Sequence, residues 1–216
     1  MTGFSGSGRA LRGGFVAMDA EGRRTLRITP FMYNPDAVTR SLAPRGARVE
    51  GGDGIEALRL IGPPVETLRF EITLDAADRL ERPDQNPLAA AEGIRADLAA
   101  LETLITPAVS DIEAAQALAA SGTLEILPLP GLLLLLTLGP GRVLPVRITE
   151  FQVVEEAFDR RLNPIRARVT VTARVLSMDD LPFAGKGAQL FLAALRRREG
   201  LAASVGGSLQ GMGVSP

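Results

Sequence analysis

The sequence predicts an α+β fold that is mainly β, and three stretches carry that expectation. Residues 163–177 (NPIRARVTVTARVLS) put Ile165, Ala167, Val169, Val171, Ala173 and Val175 on one parity and Arg166, Arg168, Thr170, Thr172 and Arg174 on the other. Strict period two with β-branched residues is the pattern of a half-buried strand. Residues 66–75 repeat it, with Leu68, Phe70, Ile72 and Leu74 opposing Thr67, Arg69, Glu71, Thr73 and Asp75. Residues 87–105 instead follow helical spacing through Leu88, Ala91, Leu98, Leu101 and Leu104. Asn86 is placed as N-cap and Pro87 at the first helical position, and Pro107 stops the run.

The other elements follow in chain order. Residues 1–14 are Gly/Ser/Arg-rich and are expected to be a flexible terminus. Residues 15–19 and 24–28 flank the turn signal Ala20-Glu21-Gly22 and predict a hairpin. Phe31-Met32-Tyr33-Asn34-Pro35 then turns the chain, because proline keeps Asn34 out of the helical region. Residues 55–61 are the expected hairpin partner of 66–75. Residues 110–120, mostly alanine, predict a second short helix. Residues 124–127 and 132–138 predict short strands, the latter fully buried, with a turn at Gly139-Pro140-Gly141-Arg142. Asp179-Asp180 predicts a turn and helix cap before a helix over 187–199, whose Arg196, Arg197 and Arg198 suit the last turn. They read as capping charge or as a partner-binding patch. Residues 200–216 form an expected flexible Gly/Ser tail, leaving one domain over 15–199 with a helical insert at about 87–120.

Residues 144–159 (LPVRITEFQVVEEAFD) form the first arm of a long hairpin closed by Arg160-Arg161-Leu162-Asn163. Val146 and Ile148 share one parity, and Phe151 and Val153 the opposite one. That switch predicts a bulge near Thr149-Glu150. Arms of roughly 13 to 15 residues make a ribbon roughly 45 Å long, about the width of a globule of 216 residues. Part of the ribbon is therefore expected to extend past its own core. An isolated two-stranded ribbon is marginal in water and exposes its edges, so neighbouring copies are expected to supply strands. Phe151, Val153, Ile165, Val169, Val171 and Val175 are the candidate inter-subunit contacts. Arg69, Glu71, Thr73, Arg166, Arg168, Thr170, Thr172 and Arg174 form a polar face that would line a channel or face bulk solvent. Tyr33, Asn34 and Pro35 form a candidate rim turn, with Tyr33 either a buried turn aromatic or an inter-subunit anchor.

Composition narrows the chemistry. The chain has no cysteine and no histidine, a net charge of -1 and 46% apolar residues. No disulfide, thiolate metal site, Cys nucleophile or Ser-His-Asp triad is possible. Near-zero charge gives no general attraction to nucleic acid or anionic membrane. The most apolar run, 132–138, is far below the ~20 residues of a membrane span. GSGRALRGG lacks the Gly-Lys-Ser/Thr ending of a phosphate loop. GGDGIE lacks the ligand spacing of a calcium loop. Glu155 and Glu156 sit on opposite faces of a strand. No catalytic residue, metal ligand or cofactor is expected.

An ordered set of segments carries a resemblance: Phe31-Met32-Tyr33-Asn34-Pro35, then residues 63–75 (PPVETLRFEITLD), 101–107 (LETLITP), 130–134 (PGLLL), 143–151 (VLPVRITEF) and 158–167 (FDRRLNPIRA). Over about residues 26–198 the chain resembles the tube-like baseplate protein of phage-tail-like contractile injection systems, a family often described through a LysM domain. The resemblance implies an Hcp-like or tail-tube-like β-barrel with long hairpins and one or two packed helices. It implies a homohexameric ring between the inner tube protein, the spike and other baseplate proteins. It also implies assembly in the cytoplasm as part of a particle that is released or acts inside the cell. Many relatives carry LysM after this domain. The chain runs about 18 residues past the predicted last helix, so no LysM domain and no peptidoglycan binding are expected. A tail tube initiator or terminator of a phage is the nearest alternative. A monomeric β-barrel that binds a small apolar ligand is the alternative of another class.

Overall fold

The structure, a computed structural model, describes residues 11–48, 55–121 and 131–206. The strands are β1 (Gly14–Met18), β2 (Thr25–Pro30), β3 (Val38–Ala43), β4 (Gly46–Arg48), β5 (Ile55–Leu60), β6 (Val65–Asp75), β7 (Leu133–Thr137), β8 (Val143–Phe158) and β9 (Pro164–Val175). The α-helices are α1 (Ala77–Leu80), α2 (Pro87–Glu92), α3 (Arg95–Glu102), α4 (Val109–Ala120) and α5 (Lys186–Ala203). The mainly β, α+β class is as expected. The predicted strand at 124–127 lies outside the described residues.

Seven strands form one antiparallel sheet in the order β2-β1-β7-β8-β9-β6-β3. The sheet curls tightly. Three strands separate β1 from β6, a flat-sheet distance of roughly 19 Å. Yet the rings of Phe15 on β1 and Phe70 on β6 have centroids 6.3 Å apart. The curl encloses a core made by the inward parity of each strand: Phe15 and Ala17, Leu134 and Leu136, Leu144 and Val146, Ala167 to Val175, and Leu68 to Leu74. It does not close. β2 and β3 remain edges rather than partners, so the expected closed barrel is not formed by a single copy. Their seam is filled by a side chain. Phe31, between them in sequence, is 1% exposed and packs edge-on against Phe15 at 5.4 Å and tilted against Phe70 at 5.8 Å.

On the outer side of β1 and β7 a second cluster, Met18, Leu133 and Leu135 with Leu181 and Leu190, seats α5. This explains the unbroken LLLL run of β7, which is buried on both faces. Gly187 allows the approach: a Cβ there would lie 2.6 Å from Leu181 Cδ1 and 3.0 Å from Leu133 Cδ1. α5 continues to Ala203, so Arg196–Arg198 stand inside the helix rather than in its last turn. Gly185, not an aspartate, precedes it as the N-cap. Asp180 instead closes the preceding turn by accepting from Ser177 N–H at 3.0 Å.

Three further local expectations change. Residues 55–60 pair with β4, and β6 takes β3 and β9 as neighbours. The connection Gly62-Pro63-Pro64 lacks the amide donors of a tight hairpin, and the chain turns away, with Ile61 N–H donating to Arg45 O at 2.9 Å. The helix expected over 87–105 breaks at Gly93. That residue has φ +61°, and a Cβ on it would sit 2.1 Å from Pro164 O. The break lets Ile94 N–H donate to the same carbonyl at 2.9 Å and buries Ile94 completely. Leu98, Leu101 and Leu104 are buried as predicted, whereas Leu88 is exposed. Asn86 makes no side-chain cap; its Nδ2 donates to Arg82 O.

The break in the helix also settles where the long hairpin goes. Asn163, 5% exposed, donates from Nδ2 to Ala91 O and to Asp159 Oδ2, both at 2.9 Å. The hairpin tip is therefore clasped by α2 and the Gly93 break, and does not project free of its core. The predicted bulge is present: the β8–β9 register shifts between Ile148 and Glu150, and again around Ala157.

Candidate assembly interface

The strands β8, β9, β6 and β3 form one end of the sheet, and their outward parity makes a continuous polar surface. Register places Arg69 opposite Thr172, Glu71 opposite Thr170 and Thr73 opposite Arg168, with Arg174 opposite Thr67 and Arg166 opposite Asp75. All eight predicted polar-face residues are thus brought together. The bulge adds residues that the parity switch could have assigned: Glu150 faces Thr172 and Gln152 faces Thr170. From β3, Thr39 and Ser41 join opposite Arg69 and Thr67.

Three arginines of this surface are matched by carboxylates. Arg166 binds Asp75 at 2.7 Å and Arg174 binds Asp180 at 2.7 Å. Arg168 binds Glu156, and Thr172 Oγ1 donates to Glu150 Oε2 at 2.9 Å. The Asp75 carboxyl is held below its ordinary pKa by the Ala77 N–H; burial opposes this and Arg166 reinforces it. Burial works against ionisation of Asp180, but the Ser177 N–H and Arg174 outweigh it and lower its pKa. The result is a polar face with its charge mostly cancelled pair by pair.

The six predicted contact residues divide. Val169, Val171 and Val175 are at most 4% exposed and lie in this chain's own core, because the inward parity of β9 faces the cluster that the curled sheet encloses with Ile94, Leu98 and Leu101 of the helical insert. Their side chains are spent within the chain and cannot be inter-subunit contacts in this fold. Phe151, Val153 and Ile165 are half-buried at the margin of that core. The backbone edges of the sheet lie apart from these side chains. Among the described residues, β7 covers β8 only from Val143 to Val146, beyond which β8 pairs with β9 alone up to Phe158. Among the same residues β3 pairs only with β6.

The rim turn is held by Asn34 rather than by its aromatic neighbour. Asn34 Oδ1 accepts from Gly13 N–H and its Nδ2 donates to Leu11 O, both at 2.8 Å. One side chain thereby replaces two strand-like backbone bonds next to the seam. Tyr33 is 45% exposed and borders an open groove of about 550 Å³ between this turn and α2–α3. The buried aromatic of the segment is Phe31.

One group went unread in the sequence. Glu66, on the inward parity of β6, is 2% exposed. It binds Arg40 Nε at 2.7 Å and Arg198 Nη2 at 2.8 Å. Its polar character at an apolar position was the available signal. Among the described residues no helix is long and apolar enough to cross a membrane. No protein-family model matches the chain, and no curated protein matches it in sequence.

Proposed function

We propose that this chain is a structural ring component of a phage-tail-like contractile injection system, one that joins the inner tube to the central spike and baseplate. The observation that carries the reading is the four-stranded β8-β9-β6-β3 segment, with a polar, largely charge-cancelled outward face and, among the described residues, an open backbone edge on each side. Successive antiparallel ladders give β3 and β8 opposite directions. The β3 edge of one copy therefore meets the β8 edge of the next as an antiparallel pair when copies repeat around an axis. Such head-to-tail contacts generate rings when the rotation between copies closes.

Six copies give a perimeter of roughly 115 Å at the usual ~4.8 Å strand spacing, or roughly 37 Å across before strand tilt widens it. The outward face of each copy then becomes the wall of a channel with little net charge. The tail-tube-like barrel of the resemblance is, on this reading, a property of the ring and not of one chain. The role is that of a scaffold, with no catalytic step assigned.

Negative-stain electron microscopy of the purified chain, alone and co-expressed with its inner tube protein, tests the proposal. Sixfold rings or decorated tube ends are the expected result. A dispersed single copy in the presence of the tube protein overturns it.

A further inference from the structure

The arginines around Glu66 outnumber their carboxylate. Arg40 and Arg198 already occupy both Glu66 oxygens. Arg142, in the β7–β8 turn, stands close enough to feel Arg40, Glu66 and Arg198 and is partly stripped of water, yet its guanidinium has no hydrogen-bond or ion-pair partner among the described residues. Among the described residues, three cations face one anion. The side chains of Arg40 and Arg198 remain about a third exposed, at 35% and 34%. Arg40 lies on the free edge strand β3.

Across the sheet, the part of the β8 edge that no described strand covers carries the opposite imbalance. Glu155 pairs in register with Ala167, which puts it on the inward parity with Phe151 and Val153. It is exposed and forms no ion pair among the described residues. Arg40 and Leu42 also have the inward parity, in register with Leu68 and Glu66. With all six residues of β3 paired antiparallel to a second copy's β8 beyond the Val146 limit of β7, Arg40 can stand opposite only a residue of equal parity: Phe151, Val153 or Glu155.

We propose that Glu155 of a second copy is the missing anion, seated against Arg40 and the surplus charge of Arg142 and Arg198, and that this carboxylate fixes the register of the copy-to-copy sheet. In that register Leu42, 41% exposed, faces Val153, and Ser41 faces Val154. Charge and apolar matching therefore coincide. The other two registers leave Arg40 against an apolar side chain and the cluster uncompensated. The inference rests on the ring reading above.

The test is the concentration at which half of the full-length chain is assembled, measured by mass photometry or sedimentation for wild type, Glu155→Gln, Arg142→Gln and the double variant. Melting curves confirm that each variant is folded. Each single change is expected to raise the concentration about tenfold, with the double variant no worse than either single one, since both remove the same contact. The swap Glu155→Arg with Arg142→Glu is expected to assemble better than Glu155→Arg alone. If wild type assembles and both single variants assemble at its concentration, this inference falls while the ring reading stands. Independent, additive losses also overturn it. If wild type does not assemble with its tube protein present, the ring reading itself falls.

Discussion

Replacing Phe31 by alanine should damage the fold more than any change in the neighbouring turn. Phe31 is 1% exposed and its ring meets both Phe15 and Phe70, which belong to strands at distant places in the sheet order. It fills the seam that no backbone ladder closes. A buried Phe→Ala change costs about 3 to 5 kcal/mol, and the two ring contacts place it at the upper end. For a chain of 216 residues that corresponds to a melting point lower by about 10 °C or more. Tyr33→Ala, at a side chain 45% exposed, should stay within about 0.5 kcal/mol. Parallel thermal and urea melts followed by circular dichroism give both numbers. A Phe31→Ala protein that melts with wild type, or a Tyr33→Ala protein that loses as much, refutes the idea that the seam is plugged by that ring.

Gly93→Ala forces a Cβ to 2.1 Å from Pro164 O at φ +61°. It should cost about 3 kcal/mol or more and should expose the Ile94 amide to hydrogen exchange ahead of the sheet amides. Glu66→Gln leaves Arg40, Arg142 and Arg198 without their shared anion; the loss should be about 3 kcal/mol, at the low end for a buried pair because both bound guanidiniums are a third exposed. Denaturant midpoints at two salt concentrations should show part of that loss recovered in high salt. Asp75 and Asp180 have folded pKa values below their ordinary one. Their stabilisation is therefore complete above about pH 4 and is lost as pH falls through the folded values. A pH series of urea midpoints should drop in that window, and Asp75→Asn with Asp180→Asn should flatten the drop.

The strands β6, β8 and β9 were legible because a period of two survives any tertiary context when one face is buried. The bulge at Thr149 was legible for the same reason, since a parity switch has no other cheap explanation. What the sequence could not show were relations between distant segments. The pattern of residues 87–105 is a good helix locally. It breaks because the carbonyl of Pro164, far along the chain, needs the space that Gly93 leaves. Residues 55–61 looked like the partner of β6 because they are adjacent and apolar, but sheet order is fixed by the whole core, which gave that place to β3. Val169, Val171 and Val175 were read as contacts between copies because their face is apolar; alternation says that a face is covered, not by what. The aromatic-Tyr-Asn-Pro segment drew attention for its only tyrosine, whereas Phe31 and Asn34 bear the structural load.

An edge as long as that of β8, uncovered among the described residues, would normally invite pairing with any extended chain. Here it is guarded. Its register is interrupted at Ile148–Glu150 and around Ala157, and its exposed side chains include Glu150, Glu155 and Glu156. Bulges and like charges discourage a second β8, since two such edges would set carboxylate against carboxylate. They admit a short strand with a cation at one position. β3 is such a strand: six residues long, with Arg40 in its middle and a surplus of positive charge behind it. On the proposed ring reading, the features that guard this edge against a second β8 are also the ones that would select the β3 edge of another copy. Such a head-to-tail choice would disfavour a two-fold dimer and leave rings or filaments as the available assemblies.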